Sequence, residues 1–251
     1  MYLDNAIAQY LQKHSFSCFA PKVALFDMDG VLYDSMWNHA YSWNESMRHF
    51  GYEMSKMDAF RYEGMRGVET IKIITREQQG EPVTDKEAAS MYKYKSEVYA
   101  SKGIAPLISG VKALQEKLHA NDYHIGVVTG SGQPTLINRI LQDFKGLVSP
   151  RIIVTANDVN RGKPAPDPYI MGMQKATTVL RDEGMLSATA SLQPWQTIVI
   201  ENAPLGVRAA VAAQCFTIAV NTGPLSDEEL WQAGSDIVCK NMSEVTELLF
   251  K

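Results

Sequence analysis

The pattern of apolar and polar positions turns most sharply at Val23-Ala24-Leu25-Phe26, a continuous apolar run that stops at Asp27, Asp29 and Gly30. A short run bounded by polar residues suits a strand buried on both faces, as in a parallel sheet. Similar runs recur at His124–Val128, Ile152–Val154, Thr197–Ile200 and Thr217–Val220, and Asp236–Cys239 reads as a last edge strand. Between them the period lengthens. Val111–His119, a segment opened by Pro134 with Leu136, Ile137, Ile140 and Leu141 inward, a segment opened by Asp167 as N-cap and Pro168 as first helical residue, a segment carrying Val207, Ala210 and Ala213, and one near Glu244 all read as helices. Strands alternating with helices predict an α/β fold with a doubly wound parallel sheet. The segment 182–194 reads as a polar surface excursion.

One stretch breaks the alternation. Met36, Ala40, Trp43, Met47 and Phe50 recur at helical spacing, Ser55 with Asp58 resembles a helix cap, Val68, Ile71 and Ile74 mark a further helix, and Thr84 with Glu87 forms a capping box ahead of Met91, Lys95 and Val98. No strand is predicted between Met36 and Ser101. A helical insert that leaves the sheet after its first strand and returns at 102–106 divides the chain into a core, residues 1–35 and 103–251, and a helical cap, residues 36–102. Leu3, Ile7, Tyr10 and Leu11 predict an amphipathic N-terminal helix packed on the core in place of a targeting segment.

Composition adds mainly exclusions. Of 251 residues 45% are hydrophobic and 21% charged, and the net charge of −4 comes without a basic patch, so no nucleic-acid partner is expected. No run reaches transmembrane length, and no membrane partner is expected. Cys18, Cys215 and Cys239 are far apart and form neither a metal motif nor an even disulfide framework. A reducing, cytoplasmic setting and a monomer are expected.

The ends of the predicted strands carry the chemistry. Asp27 and Asp29 alternate to one side of their strand, and two carboxylates so close require a cation or a shared proton. A D-x-D-G segment by itself fits a strand entering an Asp-Gly turn equally well. Thr129-Gly130-Ser131-Gly132 precedes a helix and suits phosphate oxygens. Lys163, between Gly162 and Pro164, suits a developing negative charge, and Glu201 with Asn202 offers oxygen ligands to a hard cation such as Mg²⁺. Each taken singly has a structural explanation as a turn, a solvated lysine or a helix cap.

Taken in order, FDMDGVLYDS, VTGSG, GKPAPDPY and VIENAPLGV resemble the four signature motifs of the haloacid dehalogenase superfamily, and the insert resembles the cap of its β-phosphoglucomutase-like branch. The resemblance covers nearly all of the chain after residue 22. It implies a Rossmann-like core and a Mg²⁺-dependent phosphohydrolase with an aspartyl-phosphate on Asp27. Asp29 is implied as acid/base, with its backbone carbonyl facing the metal, and Thr129 and Lys163 as holders of the transferring oxygens. The superfamily's dehalogenases lack the second aspartate. Many relatives have Glu-Asp or Asp-Asp where this chain has Glu201-Asn202, which removes one charge from the metal site.

Within that branch NHAYSW, YEGMRG and ENAPLGV are similar to segments of an inorganic-pyrophosphatase member, which implies Glu63 as a further metal ligand from the cap. Lys95 is then expected to offset a second phosphate, and His39 to lie near the acid/base. With Gly130, Ser131 and Gly132 these complete the expected substrate contacts. The implied substrate is small and phosphorylated, pyrophosphate or a compact ester. The alternatives are a sugar phosphomutase, whose cap loop resembles KGxSRExS where this chain has Tyr62-Glu63-Gly64-Met65-Arg66-Gly67, and a non-catalytic binding module.

Overall fold

The computed structural model describes residues 2–250. Six parallel strands form one sheet: β1 (Val23–Phe26), β2 (His124–Val128), β3 (Val148–Val154), β4 (Thr197–Glu201), β5 (Phe216–Val220) and β6 (Ile237–Cys239), in the order β3-β2-β1-β4-β5-β6. The first strand is central, with Val23 in register with His124 on one side and Thr197 on the other. Its unbroken apolar run follows from that position. Ala24 and Phe26 enter the cluster on one face, while Val23 and Leu25 enter the cluster on the opposite face.

Helices cover both faces. Helices α1 (Tyr2–His14), α6 (Val111–His119), α7 (Pro134–Asp143) and α11 (Met242–Leu249) contribute Tyr10, Leu114, Ile140 and Val245 to the first face, and α8 (Asp167–Asp182) and α9 (Pro204–Ala212) contribute Tyr169, Ala176 and Ala209 to the second. The α1 face is the expected one, with Ala6 added and Tyr10 donating its hydroxyl to the carbonyl of Gln214.

Four helices fill the interval after β1: α2 (Met36–His49), α3 (Lys56–Arg61), α4 (Gly67–Gln79) and α5 (Asp85–Ala100). Both capping boxes, Ser55 with Asp58 and Thr84 with Glu87, are formed. The helices share their own apolar cluster built on Trp43, Met47, Phe60, Ile71 and Met91, and core residue Leu225 joins it. This is the α/β fold with a doubly wound parallel sheet and a helical cap after the first strand.

Local differences have local causes. Helix α8 begins at Asp167 with Pro166 at the cap position, because the Asp167 carboxylate pairs with Arg161 at 3.0 and 2.9 Å and does not cap the helix. Strand β3 starts at Val148, earlier than expected. Pro150 is tolerated there because β3 is an edge strand and its register shifts against β2. Asp236 lies outside β6 and accepts from the Thr217 amide. The short helix α10 (Asp227–Gln232) was not expected, although Ser226 and Glu229 form a capping box that the sequence spells out.

Candidate active site

The C-terminal ends of β1, β2 and β4 meet at one point of the sheet, and the cap loop 62–67 lies over them. Asp27 directly follows β1, and its amide donates to the Ile200 carbonyl, which fixes it beside the end of β4. Gly30 makes the approach of β4 feasible. Its φ is +78°, and a Cβ there would stand 2.0 Å from Nδ2 of Asn202.

Asp27, Lys163 and Glu201 form a buried cluster. The Lys163 ammonium donates to Asp27 Oδ1 at 2.5 Å, to Glu201 Oε1 at 2.6 Å and to the Val128 carbonyl at 3.3 Å. Burial would lower the Lys163 pKa, but the Asp27 and Glu201 carboxylates outweigh it and hold it above its ordinary value. Burial, reinforced by Glu201 and Asp29, pushes Asp27 up to about 7 although Lys163 opposes the shift.

Asp29 belongs to a second chain of contacts. Its Oδ1 accepts from the Ser35 hydroxyl at 2.5 Å and lies 3.1 Å from His39 Nε2, and His39 Nδ1 lies 2.7 Å from the Lys95 ammonium. An ammonium has only donors, so Nδ1 is the acceptor and Nε2–H points at Asp29; the tautomer follows from this network. Burial would raise the Asp29 pKa, but His39 and Ser35 outweigh it and hold the carboxyl below the usual range. Burial and the adjacent ammonium lower His39, in accord with the neutral ring that accepting from Lys95 at Nδ1 requires. Burial lowers Lys95 to about 8 against the pull of Asp29 and Glu63. The ring of Tyr99 stacks on His39 at 4.1 Å, and the ammonium sits 5.1 Å from the Trp43 ring.

These groups border a cavity of about 50 Å³ between cap and core, lined by Asp29, His39, Glu63, Lys95, Gly130 and Ser131 among others. Glu63 is partly buried there. Burial, together with the charges of Asp29 and Asp27, raises its pKa well above the ordinary carboxylate value. Thr129, Gly130, Gly162 and Lys163 line a second recess of about 10 Å³ beneath Gly64 and Arg66. Thr129 Oγ1 accepts from the Ser131 amide, which sets the turn of the loop. Gly132 packs against Asn157 and is not among the cavity's lining residues.

The expected ligands differ in what they have left to offer a metal. Both oxygens of Glu201 are engaged: Oε1 by Lys163 and by the Tyr169 hydroxyl, Oε2 by the amides of Asn202 and Ala203. In contrast, Asp27 Oδ2 and Asn202 Oδ1 are buried without any hydrogen-bond partner. Orphaned buried oxygens are costly and point to an absent electropositive partner. Four carboxylates (Asp27, Asp29, Glu63, Glu201) also face two ammoniums (Lys95, Lys163) beside a neutral His39. The donor set is hard oxygen, and carboxylates that crowd one another beyond what the two ammoniums offset are the setting a divalent cation relieves, so the residues present fit Mg²⁺. Among the described residues no cluster of three His, Cys, Asp or Glu side chains is arranged to hold a metal, which leaves an amide and main-chain oxygens to complete the set.

Sequence reasoning placed Lys95 near substrate, and the structure adds its hydrogen bond to His39. Two supporting residues escaped it. Ser35 closes the quoted FDMDGVLYDS motif, but nothing in the sequence shows its hydroxyl turning back to Asp29. Tyr169 stands in GKPAPDPY directly after Pro168, where helical geometry turns it back toward the sheet.

A family model described as haloacid dehalogenase-like hydrolase matches residues 24–220. Hexitol phosphatase A of Escherichia coli (strain K12) is 30% identical over 222 residues, covering 88% of this chain and 92% of that protein. Glycerol-1-phosphate phosphohydrolase 2 of Saccharomyces cerevisiae is 27% identical over 227 residues, covering 88% and 83%. A solved structure from Bacteroides vulgatus with a provisional β-phosphoglucomutase assignment superimposes with a TM-score of 0.89 at 38% identity, covering 98% of this chain and 94% of that one. With its four motifs converging on one end of the sheet, the chain belongs to the haloacid dehalogenase-like hydrolase family, as a phosphatase-type member of its β-phosphoglucomutase-like branch.

Proposed function

We propose that this protein is a Mg²⁺-dependent phosphohydrolase that removes a phosphoryl group from a compact substrate through an aspartyl-phosphate on Asp27. The orphaned Asp27 Oδ2, buried beside Asn202 Oδ1 while Oδ1 is held by Lys163, carries the proposal. Asp27, Asn202 and the Asp29 carbonyl would hold the metal, with Glu63 as the cap's contribution; Glu201, whose oxygens are engaged, would act through Lys163. When bound, Mg²⁺ supplies charge neutralisation for the phosphoryl oxygens.

The protein's own groups divide the remaining work. Asp27 attacks phosphorus, forming one P–O bond as the bond to the leaving group breaks, and Asp29 delivers its proton to the leaving oxygen. In the second half Asp29 takes a proton from water, which attacks the aspartyl-phosphate and releases inorganic phosphate and free Asp27. Asp29 must be protonated for the first half. The dianionic phosphoryl group raises its pKa by like-charge repulsion, and the His39–Lys95 pair holds the carboxyl in place throughout. Thr129 and Lys163 hold the transferring oxygens.

The leaving group must fit the cavity between Glu63, Lys95 and Ser131. The small cavity and the intrusion of a carboxylate support a compact leaving group, and a small polyol or sugar phosphate, the kind of substrate that the names of the two relatives above give, is the first choice. Pyrophosphate is the second choice, favoured by the Glu63 carboxylate that the cap loop brings to the cavity. A mutase is disfavoured because the cap loop has Glu63 and a single base, Arg66, and Arg66 donates to the Asn160 carbonyl. Phosphate release from pyrophosphate, glycerol phosphate, hexitol phosphates and β-glucose 1-phosphate, with and without Mg²⁺, tests the proposal. Metal-dependent release from at least one substrate is expected. Conversion of β-glucose 1-phosphate without phosphate release would overturn it.

A further inference from the structure

Glu201 is the most heavily engaged side chain of the site. Its Oε1 accepts from Lys163 at 2.6 Å and from the Tyr169 hydroxyl at 2.7 Å, and its Oε2 accepts from the amides of Asn202 at 2.9 Å and Ala203 at 3.3 Å. An ionised carboxylate offers about four acceptor positions, so every one is filled. Lys163 gives two of its protons to Asp27 and Glu201 in short contacts and the third to the Val128 carbonyl at a longer 3.3 Å, the one a phosphoryl oxygen can take over. Any change in how strongly Glu201 draws on Lys163 therefore changes what reaches Asp27.

Tyr169 is placed to govern that draw. It lies in the first turn of α8, directly after Pro168, with its side chain fully buried between helix and sheet. Its ring centroid is 5.3 Å from the Lys163 ammonium. Burial and the adjacent carboxylates raise its pKa well above the ordinary tyrosine value, so the hydroxyl stays a donor. No solvent reaches the position, which means that water does not replace the hydroxyl if it is removed.

We propose that Tyr169 is a positioning residue for phosphoryl transfer: it occupies one acceptor position of Glu201, so that Lys163 remains shared with Asp27 and the transferring group. The proposal rests on the function proposed above. Without the hydroxyl, Glu201 Oε1 has the ammonium as its one partner and draws it away from Asp27. The charge that should face phosphorus is then spent on a structural carboxylate.

The test is Tyr169→Phe in the full chain, alone and combined with Glu201→Gln, with wild type and Glu201→Gln as references. Tyr169→Phe is expected to lower kcat about tenfold, with KM changed less than about twofold, and to weaken binding of inorganic phosphate measured by calorimetry. In the Glu201→Gln background the same change is expected to cost less than about twofold, because the neutral amide no longer competes for Lys163. Wild-type kcat and phosphate affinity in Tyr169→Phe, an equal loss in both backgrounds, or a variant that does not fold would each overturn the proposal. A wild-type protein that releases no phosphate from any substrate would instead refute the proposed function.

Discussion

The Lys95 ammonium lies 2.7 Å from Nδ1 of His39, and this contact decides the state of the imidazole that faces Asp29. A cation that donates to one ring nitrogen forces the proton onto the other, so His39 presents Nε2–H to the Asp29 carboxylate and stays neutral. Lys95 reaches Asp29 through His39.

Replacing Lys95 by Met removes that bias and is expected to lower kcat by about 10- to 100-fold, since the acid/base would be misoriented but still present. The pH dependence follows from Lys95 being lowered to about 8. Its charge, and the activity that depends on it, is lost as pH rises through about 8. The native state binds this proton less tightly than the unfolded chain, so the contribution of Lys95 to stability rises between about 8 and its ordinary value of 10.5. Profiles of kcat/KM against pH for wild type and Lys95→Met check this: the limb near 8 should vanish in the variant.

Metal dependence should be visible without turnover. On the proposed function, Mg²⁺ should raise Tm in a concentration-dependent way, as a ligand of the native but not the unfolded chain does, and Asp27→Ala should abolish the rise. Asn202→Asp adds a charge to the site and is expected to shift the Mg²⁺ midpoint to lower concentration. An unchanged midpoint would place the metal elsewhere.

Glu63 is the one carboxylate that the cap brings to the cavity. Glu63→Ala is expected to change the ratio of kcat/KM between pyrophosphate and glycerol phosphate by about tenfold or more, whereas an exposed cap substitution such as Lys93→Ala leaves the ratio unchanged. Equal ratios in the two variants would remove Glu63 from specificity.

Gly206 tests how tightly the Glu201 cluster is packed. A Cβ there would stand 1.8 Å from Glu201 Oε1. Gly206→Ala must displace Glu201 or α9, and a loss of about 1–3 kcal/mol in urea unfolding is expected.

Much of this site was legible because strands of a parallel sheet announce their ends. Val23–Phe26 is apolar at every position because both faces are covered, and the first polar residues after such a run stand at the ligand-binding edge. The same logic located Thr129 and Glu201. Lys163 is in a loop and was placed by its motif. Contacts made across long sequence separations were not legible: Tyr169 to Glu201, Lys95 to His39 and Arg66 to the Asn160 carbonyl depend on how the cap and α8 dock on the sheet, which no local pattern encodes. Glu201 shows the limit most clearly. Its type and position fit a metal ligand, and its surroundings commit it to Lys163 and Tyr169.

The central claim is that Asp27 carries the phosphoryl group. Rapid acid quench of the wild-type protein with a phosphate-labelled substrate, followed by peptide mapping, measures this directly. A labelled peptide containing Asp27 is expected within the first turnover, absent from Asp27→Asn, with Asp27→Asn losing at least about a thousandfold in kcat. Undiminished hydrolysis by Asp27→Asn, or label carried on a different residue, would contradict it.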